Sequence, residues 1–266
     1  MNTLNYISLA VPDIKVAADW FTQVVGPPAS GKALFEFDPS VTVKLVECKS
    51  SELGLPSIFD LGTLHLCFHV RNIEKVANTL ISLDDTRLMG NIVDTGEGPI
   101  EGNRWIYFKA PWGTLFELQE WPNPPAYMSN SSVRLYHEHP VQRPGALYGI
   151  QGLDHAGYSV SDLESAIMNL NDLAGGVVVL RTEISVDADF TYRQFGVDVA
   201  STSRMAMVAI DGLNLELFEH GVSDKNPPRA ITELGGHELT LGESKWASDL
   251  SEGIAPKRRM NFDFPG

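Results

Sequence analysis

The sequence predicts an α+β fold assembled from repeated βαβββ units, and three observations carry that expectation. Three segments alternate like half-buried strands and then reach Val-x-Asp/Asn-Ile/Leu. Helical periodicity follows each of them. Strand-like stretches then close each unit, the second and third through tight-turn residues.

Unit one opens with Leu4 to Ile14, a strand running into Asp13. Asp13 is a good N-cap, because its side-chain oxygen can accept from the free amides of a first helical turn. Ala17, Ala18, Phe21, Val24 and Val25 then keep helical spacing up to Gly26, which suits a left-handed C-cap. Val41 to Glu47 is the closing strand. Unit two runs from Leu64 to Ile73 with Asn72 as the cap, and Ile73, Val76, Ala77 and Leu80 line its helix. It ends in Arg104 to Phe108, a Pro111-Trp112-Gly113 turn and Leu115 to Leu118. Unit three runs from Leu153 to Leu163 with Asp162 as the cap, and Leu163, Ala166, Ile167, Leu170 and Leu173 precede Gly175-Gly176. Met205 to Ile210 and Leu215 to Phe218 flank Asp211-Gly212, a strong hairpin signal.

Pro122, Pro124, Pro125, Pro140 and Pro144 mark an interdomain linker over 123–149. The expected domains are therefore 1–122, with units one and two, and 150–266, with unit three and a remainder. In that remainder, Gly235 to Leu241 reads as the opening strand of a truncated fourth unit, and Lys257-Arg258-Arg259 as a short solvated basic tail.

The 266 residues suffice for two domains, and 43% hydrophobic with 20% charged residues is globular composition, which excludes disorder. No apolar run approaches the roughly 18 residues of a membrane span. Met1 to Val16 carries a single lysine and lacks the layout of a signal peptide. Cys48 and Cys67 are too few for a disulfide framework, so a cytoplasmic home is expected. A net charge of −14 repels phosphate backbones and anionic membranes, which argues against nucleic-acid and membrane partners. There is no Gly-rich phosphate loop, no Gly-x-Ser-x-Gly elbow and no His-Glu-x-x-His.

Period two places His65, Cys67 and His69 on one strand face, opposite Leu64, Leu66, Phe68 and Val70. His155 shares a face with Gly157 and Ser159, opposite Ala156, Tyr158 and Val160. Glu117 lies between Phe116 and Leu118, and Glu216 between Leu215 and Leu217. A lone strand histidine or glutamate is ordinarily a solvated or hydrogen-bonded residue. Recurrence singles these out: His65 precedes its cap by seven residues, and so does His155. Imidazoles with carboxylates suit Fe2+, Mn2+, Zn2+, Ni2+ or Co2+ without choosing among them.

These opening strands, the Val-x-Asp-Leu helix entry and the Gly-x-x-x-Glu-Leu closing strands of units two and three resemble the vicinal oxygen chelate superfamily. That is the glyoxalase, bleomycin-resistance and extradiol-dioxygenase group, and the resemblance covers residues 1–122 and 150–220. It implies a glyoxalase-like architecture of cupped mixed sheets around one divalent metal ion. Each unit offers a ligand from its first strand, usually His, and one from its last, usually Glu. Carried onto this chain, the metal ligands are His65, Glu117, His155 and Glu216, with Glu117 or Glu216 as the catalytic proton shuttle.

Unit one departs from the pattern, with Tyr6 and Lys44 at the ligand positions. Three completions follow. Units two and three face each other, within a chain or across a dimer, and supply all four ligands; this is the favoured one. In the second, His237 joins His155 and Glu216 as a facial triad, although it shares its strand face with Leu239 and Leu241. In the third no metal binds, and the cleft holds a ligand alone. Arg104 and Arg204, at the starts of the penultimate strands, are candidate clamps for a substrate carboxylate, against the plain reading of solvated strand-end arginines. His69 is a further candidate for lining the cleft, and Cys67 reads as a small buried filler.

The expected function is that of a metal-dependent enzyme of glyoxalase or dioxygenase type, acting on a small organic substrate through a chelated oxyanion or enolate. Its rivals are a metal-free protein that sequesters a small toxic or aromatic compound, and a metal-free biosynthetic cyclase or isomerase. An odd number of units leaves a concave sheet uncovered, so a homodimer is expected.

Overall fold

A computed structural model describes residues 5–29, 33–38, 41–49, 54–121, 123, 125, 127–128, 141–210, 212–242 and 244–245. The expectations at Asp211, over most of 122–140 and at the basic tail lie outside these residues.

Unit one comprises β1 (Asn5–Val11), α1 (Ile14–Val25), β2 (Leu34–Asp38) and β3 (Val41–Glu47), so among the described residues two strands follow its helix where three were expected. Unit two is complete: β4 (Leu64–Val70), α2 (Ile73–Leu80), β5 (Arg87–Asp94), β6 (Arg104–Lys109) and β7 (Leu115–Glu120). Unit three contains β8 (Ile150–Ser159), α3 (Leu163–Ala174), β9 (Val177–Val186), β10 (Ser201–Ile210) and β11 (Leu213–His220), with an additional helix α4 (Ala188–Phe195) inserted after β9. β12 (His237–Leu241) and the short β13 (Ser244–Lys245) follow. The three expected caps form: Asp13 accepts from Val16 N at 2.9 Å, Asn72 from Lys75 N at 3.2 Å and Asp162 from Ser165 N at 2.6 Å. Each satisfies an amide that its helix leaves unpaired.

The strands form two sheets, ordered β13-β12-β1-β3-β2 and β5-β6-β7-β4-β8-β11-β10-β9. These sheets cut across the expected division into 1–122 and 150–266. Units two and three share the large sheet, joined by antiparallel β4 and β8, while β12 pairs antiparallel with β1 of unit one. Strand-edge hydrogen bonding, rather than nearness in sequence, decides the partners. Within units two and three the first strand lies parallel to the last, β4 beside β7 and β8 beside β11. The large sheet thus has pseudo-two-fold symmetry about the β4–β8 seam.

The apolar faces meet behind this sheet. Phe37 of β2 stacks on Phe68 of β4 with centroids 5.8 Å apart, and Trp20 of α1 lies 5.2 Å from Phe116 of β7. Ile7, Phe21, Phe68, Phe116 and Tyr158 belong to one continuous buried cluster. Burying each such side chain contributes about 1.5–3 kcal/mol. Because Leu66 and Phe68 point into this core, period two turns His65 and His69 to the opposite, concave side. No helix among the described residues is long and apolar enough to cross a membrane.

Candidate metal centre

The seam of the large sheet brings the four expected ligands together from one chain. His65 Nε2 lies 3.3 Å from Glu117 Oε2 and 3.4 Å from Glu216 Oε2. His155 Nε2 lies 3.5 Å and 3.3 Å from the same two oxygens. Register explains the convergence. Cys67 is paired with both Glu117 and His155, and Gly157 with both His65 and Glu216. The absence of a side chain at Gly157 is required here: a Cβ would fall 1.9 Å from His65 Cε1. The two imidazole planes stand at 86° with centroids 5.5 Å apart.

Asp154 holds His155 in place. Its Oδ1 is 2.9 Å from His155 Nδ1, which leaves Nε2 facing the cluster. Trp121 Nε1 donates to Asp154 Oδ2 at 2.8 Å, and Asn214 Nδ2 donates to the Asp154 carbonyl at 3.2 Å. Burial works to raise the Asp154 pKa, but the neighbouring His155 and His69 and the Trp121 indole outweigh it, and the carboxyl is held low. Sequence alternation could not find this residue, because it places 154 and 155 on opposite faces. A register shift between Cys67 and Phe68 inserts Asp154 as an extra residue in β8.

The chemistry of these donors fits a divalent ion. His65 Nε2, His155 Nε2 and Glu117 Oε2 are buried without a hydrogen-bond partner among the described residues. Atoms so placed are costly unless something satisfies them. One ligand atom from each of the four residues lies within 4.8 Å of every other. A shell with metal–ligand bonds of about 2.1 Å has neighbouring donors about 3.0–3.4 Å apart, close to the spacings here. Burial opposes charge on the imidazoles but is outweighed: Glu117 and Glu216 raise the His65 pKa, and Cys67, Glu216 and Asp154 raise that of His155 well above its ordinary value. The reverse holds for Glu216, which His155 and His65 keep low against the effect of burial. These shifts favour protons on the imidazoles beside the carboxylates, the place a cation would otherwise take. Burial, reinforced by Glu117, pushes the Cys67 thiol well up, so this cysteine stays a neutral neighbour.

Above the cluster lies a cavity of about 210 Å³, with His65, Glu117 and Glu216 in its wall and Phe59, Trp105, Tyr107 and Phe218 among its apolar lining. Helix α4 of unit three roofs it against unit two: Phe190 meets Trp105 at 6.0 Å and Phe195 meets Tyr107 at 5.0 Å. Gln194 Nε2 donates to the Asn91 carbonyl of β5 at 3.2 Å. Since the cup closes within a single chain, no second copy is needed to complete the ligand set.

No family model matches the sequence. Glyoxalase I from Zea mays aligns over 82% of this chain and 68% of its own, with a TM-score of 0.50 and 16% identity. At that identity the likeness speaks for the fold alone. The 2-epi-5-epi-valiolone epimerase of Actinomyces sp is 28% identical over 159 residues, 50% of this chain and 87% of the relative. The chain has a glyoxalase-like fold.

Four expectations read from the residues themselves meet a different geometry. Arg104 lies on the helix side of the sheet, ion-paired to Glu74, to Asp94 at 2.6 Å and to Glu120 at 3.4 Å. Arg204 lies on that side too, paired with Glu219. Period two gives the inward positions to Trp105 and Tyr107 and to Ser203 and Met205 instead, so neither arginine lines the cavity. His69 faces the concave side, but its ring stacks on Trp121 at 4.0 Å and lies outside the cavity wall. His237 sits in β12 of the other sheet, 5.1 Å from the Tyr158 ring in the core, where burial pushes its pKa down to about 4. It cannot complete a triad with His155 and Glu216. In unit one Lys44 is exposed and sits beside Ser8 on the small sheet, whereas the four clustered residues belong to the large one.

Proposed function

We propose that this protein is a metal-dependent enzyme that moves a proton at a carbon beside an oxygen of a small organic substrate, as an epimerase or isomerase does. The observation that carries this reading is the pair of carboxylates. Glu117 and Glu216 reach the histidine pair from β7 and β11, on opposite sides of the β4–β8 seam. A carboxylate on each side suits removal of a proton from one face of a carbon and its return to the other. A divalent ion bound by His65, His155, Glu117 and Glu216 supplies Lewis-acid stabilisation of negative charge on the substrate's oxygens. His155 is kept in one tautomer by Asp154, so its donor atom stays aimed at the cluster. The apolar walls and the α4 roof exclude water and strengthen electrostatic interactions within. The name of the Actinomyces relative, an epimerase, supports the same reaction class.

The balance of ligands favours this over oxygen chemistry. A two-histidine, one-carboxylate site leaves three positions open for iron and oxygen. Here both carboxylates stand equally close to the imidazoles, at 3.3–3.5 Å. The test is metal analysis of the purified protein, followed by incubation with a panel of α-hydroxy ketones in deuterated water. Metal-dependent uptake of solvent deuterium at carbon, reduced at least about 100-fold in E216Q, is the expected result. Equal turnover after metal removal would establish the metal-free enzyme. Absence of metal affinity and turnover together would establish the binding protein, and oxygen consumption the dioxygenase.

A further inference from the structure

His220 is an inward-facing polar residue for which neither metal binding nor proton transfer has a use. Glu216, Phe218 and His220 alternate along β11 and share the cavity wall. Four residues of strand separate the Cα atoms of Glu216 and His220 by about 13 Å. His220 is only 8% exposed. Its Nδ1 is 2.8 Å from Ser203 Oγ, which is 3.1 Å from Ser201 Oγ. Phe218 stacks on its ring at 5.3 Å and Phe59 meets it edge-on at 4.9 Å, so the imidazole is held on three sides. The remaining atom, Nε2, is buried without a hydrogen-bond partner among the described residues.

The pseudo-two-fold counterpart sharpens the contrast. Four residues past Glu117, β7 runs out into Trp121, whose indole is spent on Asp154 and stacked on His69. Four residues past Glu216 stands an oriented imidazole with an unused nitrogen. We propose that His220, oriented by Ser203, is the binding residue for a hydroxyl group of the substrate, distal to the oxygens held at the His65–Glu117–His155–Glu216 cluster. This rests on reading that cluster as the chelating end of the site. The substrate class it defines has vicinal oxygens at one end, an apolar middle against Phe59, Met205 and Phe218, and a hydroxyl at the other end.

A hydroxyl is favoured over an anion because burial, helped by Lys225, pushes the His220 pKa down to about 3 and leaves the ring neutral. The Ser201–Ser203 chain can run in either direction, making Nε2 a donor or an acceptor. A hydroxyl meets either with a single atom, because its oxygen both donates and accepts.

The test uses the zinc-loaded full chain and two chelating probes, benzohydroxamate and 4-(hydroxymethyl)benzohydroxamate. Affinities come from titration calorimetry, and imidazole nitrogens are followed by long-range ¹H–¹⁵N spectra. Zinc alone should move the ring nitrogens of His65 and His155. The hydroxymethyl probe should bind about five- to tenfold more tightly than its parent and should alone move His220 Nε2. H220F should bring the two affinities to parity, and S203A should narrow the ratio; if H220F does not fold, S203A carries the same comparison. Equal affinities in the native protein, no binding of either probe to the zinc form, or an unchanged ratio in the variants overturns the proposal and leaves the metal centre standing. No response of His65 and His155 to zinc overturns the metal centre itself, and the proposal with it.

Discussion

Gly157 shows how much the His65–Glu117–His155–Glu216 cluster depends on a residue with no chemistry of its own. The His65 ring occupies the space where a side chain would begin. G157A should therefore displace one ligand without touching the other three. The expected effect is a loss of about 10–100-fold in metal affinity with the fold retained, read by chelator competition and circular dichroism. Protonation at the same cluster sets a pH dependence. The His65 and His155 pKa values are raised in the folded, metal-free protein. Their contribution to stability is thus fully present below the unfolded value of about 6.5 and is lost as pH climbs through the raised folded values. A divalent ion must displace those protons, so it binds better at higher pH. Thermal melting with and without zinc should show a larger metal-induced rise in Tm at pH 8 than at pH 6. An equal rise at both would mean that these imidazoles do not bind the metal.

At the scale of elements, α1, α2 and α3 and their caps were legible because apolar spacing and capping residues agree. Helix α4 was not. Ala188–Phe195 is short, only Thr191 and Gln194 in it are buried, and its Phe190 and Phe195 acquire meaning only against Trp105 and Tyr107 of another unit. F195A should weaken benzohydroxamate binding by about tenfold, from roughly 1.5 kcal/mol of lost apolar contact, while zinc affinity stays within twofold. Parallel calorimetric titrations check both. The β8 bulge was hidden for a related reason: strict alternation sends Asp154 to the wrong face, and the inserted residue exists only relative to β4.

Across the whole molecule, the proposed ligand set is divided between residues on either side of the 123–149 segment. His65 and Glu117 precede it, and His155 and Glu216 follow it. A fragment spanning 1–122 or one spanning 150–266 would each carry half of the centre and half of the large sheet. Neither should bind zinc within about 100-fold of the full chain, whereas co-expression of both should restore the site, as read by metal analysis of the copurified pair. Full affinity in one fragment would show that a different set of residues holds the ion.

Local chemistry along the chain was enough to determine the repeated units, their helix caps and the inward direction of His65 and His155, while the grouping of these two with Glu117 and Glu216 came from the family resemblance. Units, caps and direction each depend on spacing within a few residues, which periodicity and hydrogen-bond valence control. Only the tertiary structure decided that unit two pairs with unit three, that Arg104 and Arg204 turn to the helix side, and that His237 belongs to the core of the other sheet. Those outcomes depend on which strand edges meet and which apolar faces bury each other. They are settled by free energy summed over the whole chain, and no short segment contains that sum.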